Sequence, residues 1–143
     1  ADVLRLYAGL RLPFLSLLRP HEKKHLFTPT LTLCGFVVAL MLFEKDIVVA
    51  AFLMMTLGDV VAPIVGQYGR HWFSFNTKKN WEGAVAECVV NVVIGWLVLQ
   101  RFDVALVMAL AATAVETYNL HWNDNLVITP VASLAGTLMM LIA

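Results

Sequence analysis

Five apolar segments, each 16 to 20 residues long, occupy most of this 143-residue chain. They cover residues 26–43, 47–66, 83–99, 103–118 and 126–142. The hydrocarbon core of a bilayer is about 30 Å thick, so a helix of roughly 20 apolar residues is long enough to cross it. The pattern therefore predicts an all-α, polytopic integral membrane protein with about five transmembrane helices in a single domain.

The composition supports the same fold class. Hydrophobic residues make up 60% of the chain and charged residues 14%, whereas soluble domains carry about 25% charged residues. There is too little polar sequence to cover a soluble core, and far too much apolar sequence for a disordered chain. The net charge is zero, which argues against nucleic acid as a partner.

The charges are distributed unevenly along the chain. Residues 1–25 mix leucine with arginine and lysine, so we predict an interfacial segment there rather than a further span. In the predicted topology one side of the membrane carries eight basic residues and the other carries Lys45 and Arg101. The eight are Arg5, Arg11, Arg19, Lys23, Lys24, Arg70, Lys78 and Lys79. The excess predicts that their side faces the cytoplasm.

Several acidic residues lie inside or at the ends of the predicted spans. A carboxylate within a span costs about 2.5–3.5 kcal/mol on insertion scales, so each should face a partner or a polar cavity. These residues are Asp59, Glu87, Glu116 and Asp124. Polar and small residues repeat every four positions nearby, at Gly58, Ala62 and Gly66, at Gly83, Glu87, Asn91 and Gly95, and at Thr129, Ser133 and Thr137. Such stripes indicate either close helix packing with interhelical hydrogen bonds or a shared site.

The long segment between the second and third spans supplies positive charge, from Arg70, His71, Lys78 and Lys79. Basic residues beside a cluster of acids suit a divalent cation on the carboxylates and a phosphate between the cation and the lysines. Mg²⁺ is commonly bound by one or two carboxylates and by substrate phosphates, an arrangement used in phosphoryl transfer. The alternative is a basic loop that only sets topology.

A second motif points elsewhere. Residues 21–25 read His-Glu-Lys-Lys-His, which fits the H-E-x-x-H pattern of zinc proteases. Two lysines inside the motif would repel the metal, so we expect a charged helix at the membrane surface here.

The run GDVVAPIVGQYGRHWFSFNTKKNWEG resembles the signature of the CTP-dependent lipid kinases, a family that includes dolichol, phytol and yeast-type diacylglycerol kinases and is related to phosphatidate cytidylyltransferases. The later run ETYNLHWNDNLVITPVAS is similar to the Glu and Asp-Asn motif of the same family. Asn80 stands where the family pattern has Ser.

The resemblance implies transfer of the γ-phosphate of CTP to the hydroxyl of a membrane lipid alcohol, of the polyprenol, phytol or diacylglycerol type, with Mg²⁺ as cofactor. It implies catalytic roles for Asp59, Lys79 and Glu82. The implied metal ligands are Asp59, Glu87, Glu116 and Asp124. The implied nucleotide-binding residues are Gly58, Ala62, Gly66, Gly69, Arg70, Lys78, Lys79 and Asn125, with Asn91 as a further hydrogen-bonding partner.

Two other functions fit the same residues. A cytidylyltransferase that makes a CDP-lipid uses the same metal and triphosphate chemistry, and a non-catalytic membrane subunit would use the polar stripes for packing alone. Members of the resembled family carry further N-terminal spans. We therefore expect either a piece of a longer protein or a homo-oligomer that completes the site between subunits.

Overall fold

The computed structural model describes residues 28–118 and 124–142, and the regular secondary structure of these ranges is entirely helical. The five helices are α1 (Thr28–Leu42), α2 (Lys45–Gly66), α3 (Trp81–Leu99), α4 (Phe102–Thr117) and α5 (Asp124–Ile142). Each predicted apolar segment forms one helix, with ends at most two residues from those expected. The prediction of an all-α fold is confirmed for these ranges. The predicted interfacial segment 1–25 and the His-Glu-Lys-Lys-His motif lie outside them.

Three of the helices, α2, α3 and α5, are long and apolar enough to cross a membrane. Helices α1 and α4 have 15 and 16 residues, which corresponds to roughly 22–24 Å at 1.5 Å per residue. The described chain therefore has three helices of spanning length and two shorter ones.

Helices α2 to α5 form a bundle in which each helix packs against the next and α2 also contacts α5, while α1 packs mainly on α5. The connections after α1 and α3 are short, so the helices alternate in direction. We call the end of the bundle that carries segment 67–80 the loop end. Here α2 and α4 finish and α3 and α5 begin. The opposite end, with the connections 43–44 and 100–101, is the turn end.

The bundle buries several polar side chains within an apolar core and exposes many large apolar side chains on its surface. Glu87, Asn91, Thr129 and Ser133 are buried beside a core built largely of methionine and alanine. Val85, Val89 and Val93, spaced four residues apart on α3, are each about half exposed. A water-soluble protein buries its large apolar side chains, so this surface suits contact with lipid.

One proline and one glycine allow α1 and α5 to pack closely. Pro130 lies inside α5 and has no N–H to donate to the carbonyl of Leu126, one turn earlier. A Cβ on Gly35 of α1 would lie 2.6 Å from that carbonyl oxygen. Glycine at this position is what lets α1 cross α5 closely.

Candidate functional site

A cavity of about 320 Å³ lies at the loop end of the bundle. Three helices each contribute one acid to its lining: Asp59 from α2, Glu87 from α3 and Glu116 from α4. Segment 67–80 contributes Lys78 and Lys79. The cavity therefore combines carboxylates from separate parts of the chain with two ammonium groups.

The acids differ in accessibility. Glu87 and Glu116 are buried, at 3% and 5% exposure, whereas Asp59 is exposed. Asp59 and Glu116 line the same cavity, close enough for their charges to interact. Two neighbouring carboxyls favour a shared proton or a shared cation between them. Asp124, at the start of α5, adds negative charge close to Glu116.

Lys79 is the cation that faces these acids. Its Nζ donates a hydrogen bond to Oε1 of Glu116. Burial alone would lower the pKa of Lys79, but the hydrogen bond to Glu116 and the charges of Glu116, Glu87 and Asp59 together raise it above its usual value. Lys79 is therefore protonated throughout the neutral range and offsets part of the acidic charge.

Segment 67–80 is folded onto the bundle. The backbone N–H of Phe73 donates to the carbonyl of Lys79 at 3.1 Å, and that of Trp81 donates to His71 at 2.9 Å. The side chain of Asn76 donates to the carbonyl of Thr117 at 2.9 Å and is buried. These contacts tie the segment to the end of α4 and hold both lysines at the cavity.

Asn80 has a structural role that the sequence analysis missed. Its side chain accepts a hydrogen bond from the backbone N–H of Gly83 at 2.9 Å, which caps the start of α3. It also donates to the carbonyl of Gly66 at the end of α2. Asparagine directly before an apolar helix is a recognised capping signal and gave sufficient grounds to expect this.

Three glycines allow α2 and α3 to approach each other closely. A Cβ on Gly83 would lie 2.7 Å from the carbonyl oxygen of Ala62, and one on Gly66 would lie 3.0 Å from the side-chain oxygen of Asn80. A Cβ on Gly58 would likewise lie 2.8 Å from the side-chain oxygen of Asn91. The close crossing of α2 and α3 therefore requires small residues at these positions, with or without a bound ligand.

The stripe predicted on α3 faces the interior. Gly83, Glu87, Asn91 and Gly95 are all buried. On α5, Thr129 and Ser133 are fully buried, and Thr137 bonds back to the carbonyl of Ser133 at 2.9 Å. The four-residue spacing therefore identified the inward faces of both helices.

The structure brings together about half of the predicted site residues. The cavity lining includes Asp59, Ala62, Gly66, Lys78, Lys79, Glu87 and Glu116. Gly58, Gly69, Arg70, Glu82, Asp124 and Asn125 are not among its lining residues.

Glu82 binds the loop beside the cavity. Its Oε1 accepts hydrogen bonds from the backbone N–H groups of Arg70, at 3.0 Å, and His71, at 3.3 Å. The same oxygen lies 2.7 Å from Nδ1 of His71. In this arrangement Glu82 fixes the loop conformation, and it is not directed at the acids of the cavity.

The donor set of the cavity suits a hard cation, because Mg²⁺ prefers carboxylate oxygens and Asp59 and Glu116 already lie close together. Among the described residues no three His, Cys, Asp or Glu side chains form a ready metal-binding group. The predicted Mg²⁺ site remains a prediction that rests on the acids of the cavity.

Comparisons of the chain with protein-family models, curated proteins and solved structures give no match. The resemblance to CTP-dependent lipid kinases accordingly remains a prediction from the sequence motifs.

Proposed function

We propose that this chain is a membrane-embedded, CTP-dependent lipid kinase that phosphorylates the hydroxyl of a lipid alcohol. One observation carries the proposal most: acids from three helices and two lysines from one loop line the same cavity, at one end of a bundle whose outer surface is apolar. Phosphoryl transfer uses this combination, because cations neutralise the phosphates while a carboxylate acts on the hydroxyl.

Asp59 is the proposed general base, since it is the accessible acid of the three. It takes the proton of the lipid hydroxyl as that oxygen bonds to the γ-phosphorus. The bond between the γ-phosphorus and the bridging oxygen of the nucleotide breaks, so CDP leaves and the lipid phosphate forms. Lys78 and Lys79 bind the phosphate oxygens.

Glu116 and Glu87 are the residues that would hold Mg²⁺, with Asp124 close by, and Asp59 would be a further ligand only in place of its role as base. The ion would supply positive charge to the β- and γ-phosphates. Lys79 is bound to Glu116 before substrate arrives, so phosphate binding requires this lysine to share its N–H groups between Glu116 and the nucleotide.

All five helices are proposed to lie in the membrane, with the loop end on the cytoplasmic side where nucleotides are found. The hydroxyl of a lipid alcohol lies near the membrane surface, and the cavity begins at the ends of the helices. The tail of the lipid can therefore remain among the acyl chains during the reaction.

The test is a transfer assay with the purified chain in phospholipid vesicles that contain dolichol, phytol or diacylglycerol. CTP labelled at the γ-phosphate is compared with CTP labelled at the α-phosphate. A kinase moves only the γ-label into the lipid fraction. Mass spectrometry then identifies the phosphorylated lipid.

The same assay distinguishes the alternatives. Movement of the α-label into lipid, with release of pyrophosphate, identifies a cytidylyltransferase and overturns the kinase assignment. No transfer of either label, together with no binding of CTP, supports a non-catalytic membrane subunit. A non-catalytic subunit also predicts that Asp59→Asn and Lys79→Ala impair assembly of the protein.

A further inference from the structure

An aromatic cluster lies on the outside of the loop end. Its members are Phe73, Phe75, Trp81 and Tyr118, and their rings contact one another in a continuous series. The ring centroids of Phe73 and Trp81 are 4.4 Å apart, those of Phe73 and Phe75 are 5.1 Å apart, and those of Phe75 and Tyr118 are 5.6 Å apart, with the rings tilted against each other. The cluster thus joins segment 67–80 to the start of α3 and the end of α4.

Only Phe73 is buried within this cluster. Phe75, Trp81 and Tyr118 are 59%, 56% and 66% exposed. Three large exposed rings in contact with one another form an apolar patch, and a patch of this kind marks an interaction surface when it is continuous with others.

The cluster is continuous with the apolar outer face of α3. Trp81 is followed at four-residue intervals by Val85, Val89 and Val93, which are all exposed. Helical residues four apart lie on one face. The outer face of α3 is therefore apolar from the aromatic cluster to the middle of the helix, with no polar residue between them on this stripe.

Aromatic residues also mark the opposite end of the same helices. Trp96 near the end of α3 and Phe102 at the start of α4 are exposed. The axial separation of Trp81 and Trp96 is about 22 Å, and that of Phe102 and Tyr118 about 24 Å, at 1.5 Å per residue. Aromatic residues concentrate at the two membrane interfaces, and a bilayer thins locally around short helices.

We infer that the aromatic cluster inserts into the headgroup and glycerol layer of a phospholipid bilayer, so that segment 67–80 lies in the membrane surface. The inference rests on the membrane placement in the proposed function, but not on catalysis. Phe73 anchors the segment to the bundle, while Phe75, Trp81 and Tyr118 contact lipid. The mouth of the cavity, with Lys78 and Lys79, then opens at the level of the lipid phosphates.

The experiment uses tryptophan fluorescence in vesicles of phosphatidylcholine brominated near the carbonyl end of the acyl chains, or, for the reporter in the middle of α3, near their methyl end. The four tryptophans, Trp72, Trp81, Trp96 and Trp122, are replaced by phenylalanine, and one reporter is introduced at a time. Phe75→Trp tests the cluster. Val89→Trp is the control for the lipid-facing middle of α3, and Glu44→Trp is the control for the polar connection at the turn end.

We expect the brominated lipid to quench Phe75→Trp by about half, while aqueous iodide quenches it only weakly. Glu44→Trp should show the reverse. Strong iodide quenching of Phe75→Trp together with lipid quenching of Val89→Trp would overturn the inference and leave the membrane placement intact. Absence of lipid quenching at Val89→Trp would instead contradict the membrane placement itself.

A second measurement avoids the multiple replacements. Fluorotryptophan is incorporated into the otherwise unaltered chain, and the single variant Trp81→Phe identifies the Trp81 resonance. A lipid-bound paramagnetic headgroup should broaden that resonance more than a soluble paramagnetic reagent does. Stronger broadening by the soluble reagent would contradict insertion of the cluster.

Discussion

The two ends of the bundle use charge differently. At the turn end, Arg101 and Asp103 lie two residues apart, both side chains are about 40% exposed, and the Nε–Oδ1 distance is 3.0 Å. At the loop end, Lys79 reaches Glu116, which is 37 positions away and almost completely buried. The first pair is formed by neighbours in the chain and the second requires the whole fold.

The difference between the two ion pairs indicates that the loop end is the end suited to a functional site. The turn-end pair neutralises itself at the surface, where ion pairs are worth about 0–1 kcal/mol. Among the described residues of the loop end, the acids Asp59, Glu87 and Glu116 line one cavity with Lys78 and Lys79, and burying charge of this kind is costly. The proposed Mg²⁺ would reduce that cost at this end, and no such ligand is proposed at the turn end.

The largest expected difference between the two ends is in catalysis. Asp59→Asn should lower the initial rate of γ-phosphate transfer by about a thousandfold, because general acid–base groups contribute factors of 10²–10⁴. Asp103→Asn, the matched change at the turn end, should leave the rate within about twofold, since exposed pairs contribute little. Comparable rates for the two variants would remove Asp59 from the mechanism.

Stability should separate the two ion pairs next. Lys79→Ala leaves Glu116 buried without its cation and should reduce the free energy of unfolding by about 2–3 kcal/mol, a value below that for fully buried pairs because Lys79 is partly exposed. Arg101→Ala should cost at most about 1 kcal/mol. Denaturant unfolding in mild detergent measures both changes in free energy. Equal losses of stability would contradict the greater contribution expected of the buried pair.

The stabilising contribution of Lys79 should also depend on pH. Its pKa is raised in the folded protein, so the contribution is complete below the ordinary lysine pKa and is lost as the pH rises through the raised value. The difference in stability between the unaltered chain and Lys79→Met should therefore stay constant through neutral pH and shrink only in strongly alkaline solution. A difference that disappears near neutrality would argue against this ion pair.

Substitutions at the two ends of α3 should change stability by smaller amounts. Asn80→Ala removes the helix cap and the bond to Gly66, and should lower stability by about 1–2 kcal/mol. Asn80→Ser keeps a capping oxygen and should recover part of that loss. If serine is no better than alanine, the cap contributes little and the bond to Gly66 accounts for the effect.

The smallest effect is expected at the other end of the same helix. Gln100 ends α3 with φ of 54°, a left-handed conformation that glycine adopts without strain. Gln100→Gly should therefore raise the free energy of unfolding by about 0.5–1 kcal/mol. A clear loss of stability would show that the Gln100 side chain, which donates to the carbonyl of Leu97, contributes more than the strain costs.

The helices and their inward faces were predictable from the sequence because both depend on local periodicity. The four-residue spacing from Gly83 to Gly95 identified the buried face of α3, and apolar length identified all five helices. Spacing of this kind is set within one helix and does not depend on how the helices are arranged.

The composition of the site was harder to predict because it depends on contacts between distant residues. The bonds from Lys79 to Glu116 and from Asn76 to Thr117 span 37 and 41 positions, and no local pattern indicates them. Glu82 and Lys79 are near neighbours with the same predicted role, yet Glu82 binds the backbone of Arg70 and His71. The direction of each side chain is decided by the folding of segment 67–80.

Equilibrium binding of Mg²⁺ and CTP to the chain in lipid nanodiscs is the most direct test of the proposed site. The proposal is that the cavity at the loop end binds the nucleotide. It predicts saturable binding at one site per chain, weakened about tenfold by Lys78→Ala, which removes one charged contact to phosphate. Lys45→Ala at the turn end should leave the affinity unchanged. Absence of saturable binding, or equal weakening by both substitutions, would contradict the claim.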